Sequence, residues 1–278
     1  MKSLRLIPLL LMLILTASCE KEIPLDYRTV SPIYVAEVEM TADDITARLS
    51  TTRGVEEQRP DSGFVDHAVV TVRQEGTNWT DTLENRGRGR YTLFYFAYPG
   101  KEYIVDIEID GRHYQSSSTM HSMPQVNSFQ LVWQDVLTEK MLFADLRLQD
   151  NPNENNYYFM HLYRNNVGYR WAIMDDRANP GAELQQLFSC TTKRQMDEGT
   201  DSDVLHNGDQ LRMEVRSIDR RAYDYLYSLQ LMDNSGTNPI ANFSGGLLGY
   251  FSAFQQVTLQ MPFHQDSIRT AAASETRR

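Results

Sequence analysis

The chain is poor in several features that would otherwise announce its work. It has two cysteines in 278 residues, so an apolar core rather than a disulfide network must hold it. Positive charge is scarce: 27 Lys and Arg stand against 37 Asp and Glu, for a formal net charge of −10. A body of that sign repels a phosphate backbone, which argues against nucleic acid as a partner. The six histidines, at 67, 113, 121, 161, 206 and 264, are scattered, with none paired at metal-ligand spacing. The zinc-protease His-Glu-x-x-His, the phosphate-binding P-loop and the Gly-x-Ser-x-Gly nucleophile elbow are all missing. These absences leave no cofactor to expect and no catalytic set to assign.

Long apolar runs are missing too, except at the start. Lys2 and Arg5 precede about ten mostly apolar residues, Leu6 to Leu15, and then Thr16-Ala17-Ser18-Cys19. The run is short for a membrane-spanning helix. A basic start, an apolar stretch and small residues before a cysteine have the form of a bacterial lipoprotein export signal. Residues 1–18 are then removed and Cys19 is lipidated on sulfur. Several acyl chains anchor the body, each buried methylene contributing about 0.8 kcal/mol. The alternative is an ordinary secretory signal with Cys19 incidental. Cleavage removes Lys2 and Arg5 and moves the formal charge from −10 to −12. The next residues, Glu20-Lys21-Glu22, resemble the surface-export signal of Bacteroidota lipoproteins; the other reading is a hydrophilic spacer. Cys190 is left without a partner. It follows Leu187-Phe188-Ser189, which predicts a buried, inert thiol rather than a nucleophile.

Residues 19–32, with Pro24 and Pro32, read as a tether. From Ile33 the pattern becomes period two. Strands are predicted at Ile33 to Met40, Ile45 to Leu49, His67 to Val72, Tyr91 to Phe96 and Tyr103 to Ile109, all rich in residues that suit a pleated surface. Asp110-Gly111 is a tight-hairpin signal, with His113 and Tyr114 starting the return strand. Residues 33–122 have the length and punctuation of an immunoglobulin-like antiparallel sandwich. Past Met123-Pro124, further strands are predicted at Phe129 to Trp133, Leu142 to Leu148, Tyr157 to Tyr163, Tyr169 to Met174, Leu211 to Val215 and Phe254 to Met261. Residues 123–263 therefore read as a second, mostly β domain with one or two short helices. One helix is expected through Arg220 to Leu231, capped by Ser217 or Asp219, with Ala222, Tyr225, Leu226 and Leu229 on its apolar face. A second is expected at Ala182 to Leu187. The tail, 264–278, is polar and expected to be disordered.

Three stretches carry a family likeness: Cys19-Glu20-Lys21-Glu22-Ile23-Pro24-Leu25, Asn155-Asn156-Tyr157-Tyr158, and the segment from Asn238-Pro239 through Gly245-Gly246-Leu247-Leu248-Gly249-Tyr250-Phe251. On these the chain resembles a family of Bacteroidota lipoproteins classed as a domain of unknown function, number 4249. Members are commonly encoded beside TonB-dependent outer-membrane transporters. The resemblance implies an outer-membrane surface lipoprotein, non-enzymatic, assisting nutrient uptake by capturing an unknown ligand or binding the transporter. It brings no catalytic residues. The glycine segment admits two readings. Gly245, Gly246 and Gly249 with Tyr250 and Phe251 form either a partner- or ligand-binding loop or a tight turn feeding the last core strand.

The remaining candidates are weaker. The loops Asp150 to Asn156 and Asp197 to Asp203 are oxygen-rich enough for calcium, though neither has the helix-flanked twelve-residue pattern, and solvated turns are the plainer reading. Aromatics cluster at Tyr91 to Tyr98 and Tyr157 to Tyr163, and alternation assigns half of each cluster to the core. The competing functional classes are an adhesion or envelope-structural module and a hydrolase whose site is not visible in sequence.

Overall fold

Alternating apolar residues become strands almost from the first residue described. The computed structural model describes residues 31–53, 62–177, 180–192, 203–235 and 239–270. Eight strands come first: β1 (Tyr34–Met40), β2 (Asp44–Thr51), β3 (Val69–Gln74), β4 (Thr80–Thr82), β5 (Glu84–Gly87), β6 (Arg90–Phe94), β7 (Glu102–Ile109) and β8 (Arg112–Thr119). They form two sheets, with runs β1-β2-β6-β5 and β4-β3-β7-β8. Val38, Met40, Ile45, Val72, Val105 and Ile107 point between the sheets and are fully buried. Each such side chain contributes about 1.5–3 kcal/mol. Asp110 and Gly111 both take positive φ, 52° and 73°, the two-residue primed turn that matches strand twist between β7 and β8. Tyr103, at the start of β7, accepts a 2.9 Å hydrogen bond on its hydroxyl from the Tyr98 backbone N–H. That is the tyrosine corner of immunoglobulin-like sandwiches.

The second half holds β9 (Gln125–Val136), β10 (Glu139–Gln149), β11 (Tyr157–Arg164), β12 (Val167–Asp175), β13 (Glu183–Thr192), β14 (Val204–Leu205) and β15 (Gln210–Ile218). Then follow α1 (Arg220–Ser235), β16 (Leu248–Ala253), β17 (Gln255–Pro262) and β18 (Arg269–Thr270). Its sheets run β14-β13-β10-β9-β18 and β12-β11-β15-β17, around a core that includes Leu142, Leu146, Met160, Leu162, Met213 and Phe263. The chain is mainly β, with a single α-helix among the described residues.

Four features differ from the sequence reading. Ala182 to Leu187 is not a helix but lies largely within β13, paired antiparallel with β10. Leu184, Phe188 and Cys190 are buried, so the period-two register of a core sheet overrides the helix-forming Ala, Glu, Leu and Gln content. The tail continues in order as far as Thr270: Gln265–Ser267 is a 3-10 turn and β18 pairs parallel with β9. Residues 271–278 lie outside the described residues. The helix exists and Asp219 caps it, but Leu229 is exposed, and Tyr223 takes a buried place against Tyr157, ring centroids 5.0 Å apart. Finally, β16 belongs to the second half in sequence but joins the first sandwich, pairing parallel with β1, Gly249 opposite Ala36 and Phe251 opposite Val38. Only Phe254 separates it from β17 in the second sandwich, so the chain crosses between the two cores within one residue.

Candidate functional site

Cys19, Glu20, Lys21 and Glu22 lie outside the described residues. The glycine segment lies within them, and two of its three glycines answer to packing. Gly249 has φ 102°, and a Cβ there would overlap the Ala36 carbonyl oxygen across the β1–β16 pair. Gly245 has φ 72° and sits against the Tyr114 ring, where a Cβ would come within 2.9 Å. Gly246, at φ 83°, faces open space. Phe251 is fully buried in the first core, and Tyr250 is half-buried, stacked on Tyr225 at 5.4 Å. Serines of β8 hold the segment. Ser116 Oγ donates to the Asn242 side-chain oxygen at 2.6 Å, and Ser118 Oγ accepts from the Ala253 N–H at 2.8 Å. Phe251 and Gly249 are buried and serve a turn feeding a closing strand, while Gly245 and Gly246 are exposed and Tyr250 is half-buried.

The described residues of the oxygen-rich loops are held by protein donors. Buried Asp150 accepts from Gly181 N–H at 2.7 Å, Asn156 Nδ2 at 3.1 Å and the Tyr158 hydroxyl at 3.2 Å. In the second loop only Asp203 is described, and Arg170 holds it at 2.6 Å. Among the described residues no three His, Cys, Asp or Glu converge on a metal position.

Cys190 is 1% exposed. Burial pushes its thiol up to about 12, and it donates to the Phe188 carbonyl at 3.6 Å. A thiol held neutral in a core is no nucleophile at physiological pH. His161 sits in an aromatic row of β11, stacked on Tyr163 at 4.0 Å and edge-on to Phe159. Burial first, then Arg216 and Arg212, push its pKa down to about 4. Gly168 leaves room for the ring, since a Cβ there would come within 2.9 Å of Nε2.

One face of the first sandwich is open to solvent along β6 and the extended segment after it. Tyr95 N–H donates to the Asp43 carbonyl at 3.2 Å and Ala97 N–H to the Ala42 carbonyl at 2.9 Å, so alternation continues past the end of the strand. Tyr91, Tyr95 and Ala97 turn inward. Tyr95 stacks on Trp79 at 3.8 Å and meets Tyr103 edge-on. Phe94, Phe96 and Tyr98 turn outward, 70%, 55% and 60% exposed, with Phe94 and Phe96 edge-to-face at 5.1 Å. Three large aromatics at alternate positions on a backbone pinned from beneath form a solvent-facing apolar strip. Such strips mark contact surfaces, and flat rings suit a sugar face or a protein partner. The sequence showed the cluster and the halving; only strand pairing shows which half is outside.

No helix among the described residues is long and apolar enough to cross a membrane. No curated protein matches the sequence. Among solved structures the chain is similar to a two fibronectin type-III domain segment from chicken tenascin, at 11% identity over 84% of this chain and 100% of that one, with a TM-score of 0.23. It is also similar to a cytokine receptor complex, at 10% identity over 82% and 94%, with a TM-score of 0.26. Superpositions that loose carry no weight, and the fold assignment rests on the strand pairing and the tyrosine corner. One family model, described as Domain of unknown function (DUF4249), matches residues 20–260, and the chain belongs to that family.

Proposed function

We propose that this protein is a lipid-anchored binding body on the outer face of the outer membrane of a Bacteroidota cell, without catalytic activity, that assists a TonB-dependent transporter in nutrient uptake by capturing ligand or binding the transporter. The observation that carries this reading is the pairing of a stretch with the form of an export signal, ending before Cys19, with an outward aromatic strip, Phe94, Phe96 and Tyr98, on a sandwich. A body that only filled space would have no need to hold three large rings in water. The buried Cys190 thiol and the neutral, packed His161 support the non-catalytic part of the reading, because both are built into cores and aromatic stacks. The acidic charge keeps a displayed body soluble.

The test is co-purification from native outer membranes. The wild-type chain is expected to bring down a TonB-dependent transporter. The triple variant Phe94→Ala, Phe96→Ala, Tyr98→Ala is expected to lose at least ten-fold of that yield. Its melting temperature should stay within about 3 °C, since exposed side chains contribute little to folding. A wild-type chain that enriches no transporter, or a triple variant that enriches it equally, counts against the reading.

A further inference from the structure

Where the two sandwiches meet, a cavity of about 500 Å³ is lined by residues of both, from β7 and β8 in the first and β11 in the second, and by the start of α1. Six charged or titratable side chains line it, and four of them are engaged. Asp219 accepts from the Ala222 and Thr119 N–H groups. Arg220 pairs with Asp224 at 3.5 Å. Glu154 meets His121 Nδ1 at 3.6 Å and accepts from Ser122 Oγ at 3.1 Å. The two that are left have opposite sign. Arg221 donates to two neutral oxygens, Ser117 Oγ at 3.0 Å and the Asn242 carbonyl at 2.7 Å. Glu102 has no side-chain partner among the described residues, and although it shares the cavity with Arg221 the two do not pair. Ser117 and Arg221 also line a second cavity, of about 340 Å³, with Asn242 in its wall. Asn242 is 2% exposed, and its Oδ1 accepts from Ser116 Oγ and from the Phe251 N–H. Its Nδ2 has no hydrogen-bond partner among the described residues, a state that buried donors rarely keep.

We infer that this cavity binds a small zwitterion, a free amino acid or a dipeptide, with its carboxylate at Arg221 and its ammonium at Glu102. A guanidinium has five N–H donors and a carboxylate only acceptors, so two neutral contacts leave Arg221 able to grip a carboxylate through its fork. Glu102 offers both oxygens to an ammonium. A ligand with one charge would leave one of the two groups unanswered, and an apolar ligand would leave both. A ligand oxygen reaching past Arg221 into the second cavity would give Asn242 Nδ2 the acceptor it lacks. A volume of this size at a junction between domains suits a small molecule. The site shares no residue with the aromatic strip, and it requires neither the anchor nor a transporter.

The experiment is calorimetric titration of the full chain, purified in detergent, with three probes at neutral pH. Alanyl-alanine carries both charges, its N-acetyl derivative lacks the ammonium, and its C-terminal amide lacks the carboxylate. Saturable binding of alanyl-alanine is expected, with each singly charged derivative about ten-fold weaker or more, the size of one hydrogen-bonded charge. Glu102→Gln should weaken alanyl-alanine by about the same factor and leave the N-acetyl derivative unchanged, because that probe has no ammonium to lose. Arg221→Gln should weaken alanyl-alanine likewise and leave the amide unchanged. Glu108→Gln, exposed like Glu102 on β7 but outside the cavity, should bind as wild type. The melting temperature of Glu102→Gln should match wild type, since an exposed side chain contributes little to folding. No saturable binding of alanyl-alanine at millimolar concentration, a singly charged derivative that binds as tightly, or equal loss in Glu108→Gln overturns the proposal.

Discussion

Gly249 and Gly246 stand three residues apart and both have positive φ, yet only one is enclosed. At Gly249 a side chain meets a backbone carbonyl of β1 that cannot withdraw without unpairing the strand. Gly249→Ala should cost about 3 kcal/mol or more. Gly246→Ala meets nothing and should cost about 1 kcal/mol, the ordinary penalty of a left-handed non-glycine residue. Denaturant melts of the two variants read the difference directly. His161 gives a second prediction. Its pKa is about 4 in the folded chain against 6.5 for a free imidazole. Above pH 6.5 both states are neutral and the histidine adds no pH dependence. As pH falls from 6.5 towards 4, the unfolded chain takes up a proton that the folded chain refuses, so stability declines across that window. The loss should be about 1 kcal/mol, because the half-buried ring is partly screened by water. His161→Gln should flatten the melting temperature against pH over the same range relative to wild type.

At the scale of elements, α1 depends on one carboxylate. Asp219 is buried, with Oδ1 accepting from the Ala222 N–H at 2.8 Å and Oδ2 from the Thr119 N–H at 3.2 Å. It thus caps the helix and ties it to β8. Asp219→Ala should cost about 1–2 kcal/mol and speed amide exchange at Ala222 and Tyr223 before the rest of the chain. Helix and cap were legible in sequence because both signals are local. So was the β7–β8 hairpin, where a two-residue turn sits between alternating strands. The β13 strand was not, because Ala182 to Leu187 has the content of a helix and becomes a strand only by pairing with β10. Nor was β16, whose partner β1 lies some two hundred residues earlier and whose glycines look like a loop until Ala36 is placed beside Gly249. The aromatic strip was half legible: alternation announced that Tyr91 to Tyr98 would divide, while the Asp43 and Ala42 carbonyls decide the division after β6 ends.

At the scale of the whole molecule, the two cores are joined by more than chain continuity. Arg216 of β15 reaches Glu39 of β1 at 2.6 Å, the Tyr250 hydroxyl donates to the same carboxylate at 3.1 Å, and the Arg216 guanidinium lies 4.5 Å from the centroid of the Phe254 ring. The helix face packs beside them, with Tyr157, Ile218, Ala222 and Leu226 in a third apolar cluster. The body carries the aromatic strip on its first sandwich, the half nearer in sequence to Cys19. The central claim is that Cys19 displays this body on the outside of the cell. The measurement that tests it most directly is digestion of intact cells by added protease, comparing wild type with Cys19→Ala in outer-membrane fractions. The account predicts that the wild-type chain fractionates with the outer membrane and is cleaved while a periplasmic marker stays whole, and that Cys19→Ala leaves the outer-membrane fraction and escapes cleavage. A wild-type chain protected on intact cells, or a Cys19→Ala chain that stays in the outer membrane and is cleaved equally, would contradict it.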